Sequence, residues 1–374
     1  MLRFLSKLLT NHNSKTGCTR FVRTLSSSSS KAHDLTLHYL TNSCGMSLQS
    51  ATSACKFVRI QSEDKADLVL QLLRAKGFTL SQIASLISNR PYIISSDPDK
   101  ILKPKLEYFE SLGFAAPSLP NMLCADATIL STSLKNRILP NIDFLRGFLE
   151  TEDDVLWTLK RWFSVVRYDT ELMMSTICTL CACGVPVPTI RKLVLLHPKL
   201  LIIGFYSYEE KIQELKGMGI EPTSKVFLTA FFSMCVMSRR KWERKKKFLM
   251  SFGWSERDFL MAFRVQPLFV TTSEQKMKKV MEFYLTKAGL QVSDLVRSPH
   301  LLRISLEGNA IPRCSVLEVL MSKGLIKKKL NVVAALRMSR KPFETKYLTY
   351  FKEDCPELIQ AYQAKTFQGF GMNI

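Results

Sequence analysis

A glycine recurs along this 374-residue chain at a spacing near 35: Gly77, Gly113, Gly147, Gly184, Gly219, Gly253, Gly289 and Gly324, with gaps of 36, 34, 37, 35, 34, 36 and 35 residues. Each is followed at once by an apolar residue: Phe78, Phe114, Phe148, Val185, Ile220, Trp254, Leu290 or Leu325. Four positions before seven of them stands Leu or Phe (Leu73, Phe109, Leu180, Leu215, Leu249, Leu285, Leu320); only Asp143, ahead of Gly147, departs from this. Such a pattern marks a helix that ends on a left-handed glycine, with the next apolar residue folded back on the last turn. Eight ends at one period predict eight copies of one helical unit. A unit this short cannot bury its apolar face alone, so the copies must stack on one another.

Prolines supply a second marker. Pro91, Pro198 and Pro267 each lie 14 residues after their glycine, and Pro299 lies 10 after its own. The residues that follow are alike: Tyr92-Ile93-Ile94, Lys199-Leu200-Leu201, Leu268-Phe269-Val270 and His300-Leu301-Leu302. Proline lacks an N–H and restricts the residue before it, so it ends the second helix of the unit. The apolar pair after it begins a short third turn. In the other units Ala127, Arg161, Ser233 and Met338 occupy the place of the proline. Thr79 with Gln82, and Ser255 with Asp258, are spaced as capping boxes at the start of second helices. Glu150-Thr151-Glu152-Asp153-Asp154 reads as a helix start, where acids are favoured, rather than as a metal site.

The formal net charge of +21 is unevenly spread. Residues 1–33 carry six Lys/Arg and no acid, with Leu2, Leu5 and Leu9 on one helical face, which is the composition of an organellar transit peptide. Arg23-Thr24-Leu25-Ser26 resembles a mitochondrial processing site, so a mitochondrial address is expected, with the chloroplast as the alternative. Residues 34–64 show little periodicity and read as a linker or irregular cap. The repeat array covers 65–352, and 353–374 form a C-terminal tail. Residues 34–238 are nearly neutral, whereas 239–352 hold 25 basic against nine acidic residues, a net of +16. A field of that sign over about a hundred residues calls for a polyanion.

Enzyme signatures are missing. There is no phosphate-binding glycine loop, paired zinc knuckle or nucleophile elbow. His197 and His300 flank prolines and read as structural. The ten cysteines show no disulfide framework, and Cys178, Cys181 and Cys183 are expected as small core residues. No catalytic residue, cofactor or metal is expected. No apolar run reaches membrane-spanning length.

The Leu-x-x-x-Gly-apolar ends and Pro-x-apolar-apolar stops resemble the repeat of the mitochondrial transcription termination factor (mTERF) family. Ser298-Pro299-His300-Leu301-Leu302-Arg303-Ile304-Ser305-Leu306-Glu307, followed by Ile311-Pro312-Arg313, is similar to a block of its plant members. The resemblance covers about 65–352. It implies an all-α fold, a left-handed α-solenoid of three-helix repeats, about eight here. It also implies organellar nucleic-acid binding: regulation or termination of transcription on double-stranded DNA, or alternatively RNA binding in intron splicing or ribosome assembly. A protein–protein scaffold is the rival reading, and the near-neutral first half could hold a protein partner. A monomer is expected, with no membrane partner.

Phosphate contacts would come from Lys and Arg on successive repeats of the basic stretch. The expected nucleic-acid-binding set is Arg240, Lys241, Arg244, Lys245, Arg264, Lys276, Lys279, Arg297, Arg303, Arg313 and Arg337. Arg297, Arg303 and Arg313 flank proline stops and stand out, because Arg pairs bidentately with phosphate or guanine. Trp242 could stack on bases, whereas Trp254 follows a glycine and is expected in the core.

Overall fold

The computed structural model describes residues 33–202, 207–327 and 330–370. The transit-peptide expectation lies outside them but for His33. Among the described residues the chain is helical throughout, with no strand. It forms two compact units, one ending at Thr170 and one beginning at Glu171.

The glycine stops form as the pattern requires. In the first full repeat, helix Glu63–Ala75 ends on Gly77 at φ +83°, with Phe78 N–H on Leu73 C=O at 3.1 Å and Gly77 N–H on Arg74 C=O at 3.0 Å. These two bonds close the orphan carbonyls of the last turn. The same reach recurs from Phe114 to Phe109, Val185 to Leu180, Ile220 to Leu215, Trp254 to Leu249 and Leu325 to Leu320. Both partners of every pair are buried except Leu325, which is partly buried. At Gly289 the helix ends in a widened π turn, Phe283–Lys287. There Leu290 reaches one residue further back, to Tyr284, and half-buried Leu285 yields the core position to it.

Gly147 is not a stop. Helix Leu139–Phe148 runs through it, and Leu149 caps the end in extended conformation with its N–H on Leu145 C=O at 2.8 Å. Asp143 stands where the apolar anchor would have to be. In compensation, Gly45 at φ +69° is a stop that the period did not include. Residues 33–42 are helical, Met46 N–H returns to Leu40 C=O at 3.1 Å, and helix Leu48–Ala54 follows. The stretch 34–64 is therefore a further helical pair with buried Tyr39, Leu40, Cys44 and Ala51, not an irregular cap. The C-terminal tail is also packed: Cys355 and Leu358 join the core around Leu317, Leu320 and Phe343.

Second helices and third turns follow the proline rule. Pro91, Pro198, Pro267 and Pro299 each open a 3-10 turn, and Ile93, Ile94, Leu200, Leu201, Phe269, Val270, Leu301 and Leu302 are buried. Both expected capping boxes form, and Thr151 caps Glu152–Arg161 with acids in its first turn. Cys178 and Cys181, by contrast, are exposed: they fall on the outer face of helix Thr170–Ala182, while Met173, Thr176 and Leu180 take the inner one.

Three first helices open with a π turn: Pro98–Leu102, Leu134–Ile138 and Leu306–Ala310. Each runs straight into a helix with proline at its second residue, namely Pro104, Pro140 and Pro312. A proline inside a helix has no N–H to give and crowds the preceding turn, and widening that turn relieves both.

Candidate nucleic-acid interface

Beside those prolines lies an arrangement that decides which basic residues are available. Lys105, Asn141, Thr176, Lys245 and Arg313 are polar and buried, at 5%, 0%, 0%, 5% and 2% exposure. Each donates to backbone carbonyls at the end of the third turn or second helix that follows in the chain. Lys105 Nζ bonds Leu130 C=O, and Asn141 Nδ2 bonds Val166 and Tyr168 C=O at 2.7 and 2.8 Å. Thr176 Oγ1 bonds Leu201 C=O at 2.8 Å, and Lys245 Nζ bonds Thr272 C=O. Arg313 Nη1 bonds Leu336 and Met338 C=O at 3.0 and 2.6 Å. The carbonyls that end a short helical turn have no partner of their own, and a cationic or amide donor is well placed against their dipoles. The ladder thus ties the first helix of each of these repeats to the end of that repeat's own third turn or second helix.

Two of the eleven expected contact residues are rungs of this ladder. Lys245 and Arg313 face the interior, and their polar tips are committed to carbonyls, so neither presents itself to phosphate. Burial also pulls the Lys245 ammonium below its usual range, and the Arg313 guanidinium below its own. Trp242 is likewise core: it stands edge-on to Phe259 and Phe263, with centroids at 5.1 and 4.9 Å. Trp254 is buried as expected.

The other nine are exposed. Helix Arg239–Met250, capped by Ser238, carries Arg240, Lys241 and Arg244 on its outer side. Helix Glu274–Glu282, capped by Ser273, carries Lys276 and Lys279. Arg264, Arg297 and Arg337 sit in the last turns of second helices, and Arg303 closes the turn Pro299–Arg303. Three have local partners. Arg244 pairs with Glu274 at 2.7 Å, Arg264 Nε donates to Met218 C=O at 2.5 Å, and Lys276 Nζ donates to Arg303 C=O at 2.6 Å. The Arg244 pair ties two consecutive repeats together and the Lys276 bond braces the second of them, so their charges are held in fixed register. Arg240, Lys241, Lys279, Arg297, Arg303 and Arg337 make no ion pair among the described residues.

Lys276 and Lys279 line a cleft of about 290 Å³ with Ser273 and Ser305. Lys279 also lines the adjoining cleft, where Lys365 meets it. Lys365 was hidden in a segment of net −2. Its placement follows from Phe367 packing on Phe283 and Phe370 N–H reaching Lys287 C=O, which fold the tail back on this repeat. Arg337 lies close enough to His300 for its charge to act with burial in lowering the imidazole pKa from 6.5 to about 4, so His300 is neutral. No group of three or more His, Cys, Asp and Glu that could hold a metal is found among the described residues. No described helix is long and apolar enough to cross a membrane.

The chain matches a family model described as mTERF over residues 70–232 and 206–344. It is similar to the chloroplastic transcription termination factor MTERF8 of Arabidopsis thaliana, at 25% identity over 46% of this chain and 34% of that protein. It is also similar to the mitochondrial transcription termination factor MTERF15 of the same plant, at 20% identity over 83% of this chain and 63% of that protein. The chain thus spans less than two thirds of either relative.

Proposed function

Because the chain belongs to the mTERF family, we propose that it is a non-enzymatic nucleic-acid-binding regulator of organellar gene expression, acting on double-stranded DNA to regulate or terminate transcription. The observation that carries this reading is the net charge of +16 over residues 239–352, much of it displayed on exposed side chains of consecutive repeats. A protein scaffold has no need of such an excess in one stretch. Phosphates neutralised by these side chains release counterions, and the fixed register of neighbouring rows suits a ligand whose charges repeat regularly. The relatives are named as transcription termination factors of chloroplast and mitochondrion, and the acid-free first 33 residues suit import into an organelle.

The test is a salt titration of binding to duplex DNA, structured RNA and single strands of matched length. Tightest binding to duplex DNA, falling steeply as salt rises, is the expected result. A flat salt profile counts against a phosphate-dominated interface. Preference for structured RNA moves the reading to splicing or ribosome assembly. Crosslinking in the organelle, followed by sequencing of the bound nucleic acid, then identifies the target.

A further inference from the structure

Cys178 and Cys181 are the two thiols that the fold leaves in the open. Of the nine cysteines among the described residues they alone are exposed, and the rest are buried or half-buried. Free cysteine is among the most buried residue types, since its sulfur packs as a small hydrophobe. An exposed pair three residues apart on one helix therefore calls for a chemical reason. Helix Thr170–Ala182 presents both on its outer face, while Met173 and Leu180 anchor its inner face in the core and Thr176 Oγ1 bonds Leu201 C=O at 2.8 Å. The turn that carries Cys181 is also pinned from its far end. Gly184 N–H bonds Cys181 C=O at 2.9 Å, Cys183 N–H bonds Thr179 C=O at 3.0 Å, and Val185 N–H bonds Leu180 C=O at 3.0 Å. The spacing of the two thiols is thus set by a backbone held on both sides.

Residues three apart on a helix have Cβ atoms about 5–6 Å from each other. A disulfide needs about 3.5–4.5 Å between its Cβ atoms, so closing one here pulls on the pinned turn. An ion makes a smaller demand. With sulfur–metal bonds of about 2.3 Å, two sulfurs that share an ion stand up to about 4.6 Å apart, within reach of side chains free to turn in solvent. Thiolates select soft ions. Zinc takes four ligands, and no third His, Cys, Asp or Glu joins this pair among the described residues. Monovalent copper is soft and is satisfied by two thiolates in line. We propose that Cys178 and Cys181 form a dithiolate site for one copper(I) ion on the outer face of helix Thr170–Ala182. On binding, two sulfur–copper bonds form, the two S–H bonds break and both protons pass to solvent; no electron moves, because the ion arrives as copper(I). The loaded pair staples the last turn before the Gly184 stop. The site lies in the near-neutral stretch 34–238 and does not depend on the duplex surface proposed above.

The experiment titrates copper(I) into the reduced full chain without oxygen, with bicinchoninate as a coloured competitor, beside the double variant Cys178→Ser, Cys181→Ser. Both positions are exposed, so the double variant should keep its melting temperature. The wild type is expected to bind one equivalent more than the double variant, to release two protons with it, and to bind more tightly as pH rises. Equal copper uptake by the two overturns the proposal. So does an ion held between two copies of the chain, seen as a copper-dependent doubling of mass, and so does a pair that closes to a disulfide in air yet takes up no copper when reduced. Half-buried Cys183 should play no part, so Cys183→Ser keeps the extra equivalent; its loss in that variant overturns the assignment to the pair. Should the double variant melt early, Cys178→Ala alone gives the reading: loss of the extra equivalent supports the site, and its retention rejects it. Duplex affinity of the copper-free chain tests the other reading separately, since either can fail while the other stands.

Discussion

At the scale of single residues, identical chemistry has two fates in this chain, and burial divides them. Lys241 and Lys245 are one helical turn apart, yet Lys241 is exposed and Lys245 is a rung of the internal ladder. Lys245→Ala should leave the part-buried Thr272 carbonyl without its donor, at about 1 kcal/mol. Urea denaturation should register that loss, while the folded variant keeps its nucleic-acid affinity; a tenfold drop in affinity at unchanged stability would return Lys245 to the interface. The distinction was within reach of the sequence. Lys105, Asn141, Thr176, Lys245 and Arg313 keep the glycine period to within a residue or two, and three of them directly follow Pro104, Pro140 and Pro312. A polar residue recurring on an apolar face at the repeat period is a structural donor, and its charge says nothing of a partner. His300 yields a pH prediction. Its folded pKa is lowered from 6.5 to about 4, by burial first and then by Arg337. Above pH 6.5 both folded and unfolded chains hold it neutral and nothing is lost. As pH falls from 6.5 towards 4 the unfolded chain takes up the proton first, so stability declines across that window. The decline should be shallower in His300→Gln, as measured by denaturation at several pH values; identical pH profiles would show that His300 does not titrate this way.

At the scale of elements, the glycine period specified helix ends correctly wherever the apolar anchor four residues earlier was present. It misled at Gly147, where Asp143 takes that place, and it passed over Gly45, where Thr41 does. The conformations make the difference measurable. Gly77 has φ +83°, and a Cβ there would stand 2.6 Å from the Ala116 Cβ. Gly77→Ala therefore incurs left-handed strain of about 1–2 kcal/mol and a steric clash as well. Gly147 lies within helix Leu139–Phe148, with open space where a Cβ would go. Gly147→Ala should stabilise by up to about 1 kcal/mol through helix propensity. Melting temperatures should move in opposite directions; a loss of stability in Gly147→Ala would mean that this glycine terminates its helix after all. The π turns show why the interior of the repeat was less legible than its ends. Pro104, Pro140 and Pro312 break no helix, because the turn before each one widens to take them. Local rules read a proline as a boundary, whereas the packing of Leu102, Ile138 and Ala310 into the core holds the chain helical through it.

At the scale of the whole molecule, architecture and function were written in different signals. Glycine helix stops run from Gly45 to Gly324 without regard to charge, while the excess of basic residues begins at Arg239. Acidic neighbours then thin that excess: Arg239 pairs with Glu214 at 2.9 Å, Arg244 with Glu274 at 2.7 Å and Lys246 with Glu256 at 2.7 Å. Pairs this exposed contribute little to stability, but they hold charge that a phosphate would otherwise meet. The productive cations should thus be drawn from those without an acid, of which Arg240, Lys279 and Arg297 are three. They lie on different helices of unit Glu171–Ile374 and are exposed, so alanine at all three should leave the fold intact. Every duplex phosphate that is no longer neutralised lowers the slope of log affinity against log salt by about 0.9, so the triple variant should flatten it by about 2–3. Glu274→Gln, which releases Arg244, should act the other way and raise affinity at low salt. Fluorescence anisotropy over a salt series on wild type and both variants gives the slopes. If the triple variant keeps the wild-type slope while Lys245→Ala loses it, the binding surface is not the exposed face of these helices. Phosphate would then have to reach the ladder residues, and the division between buried and exposed cations would no longer mark the interface.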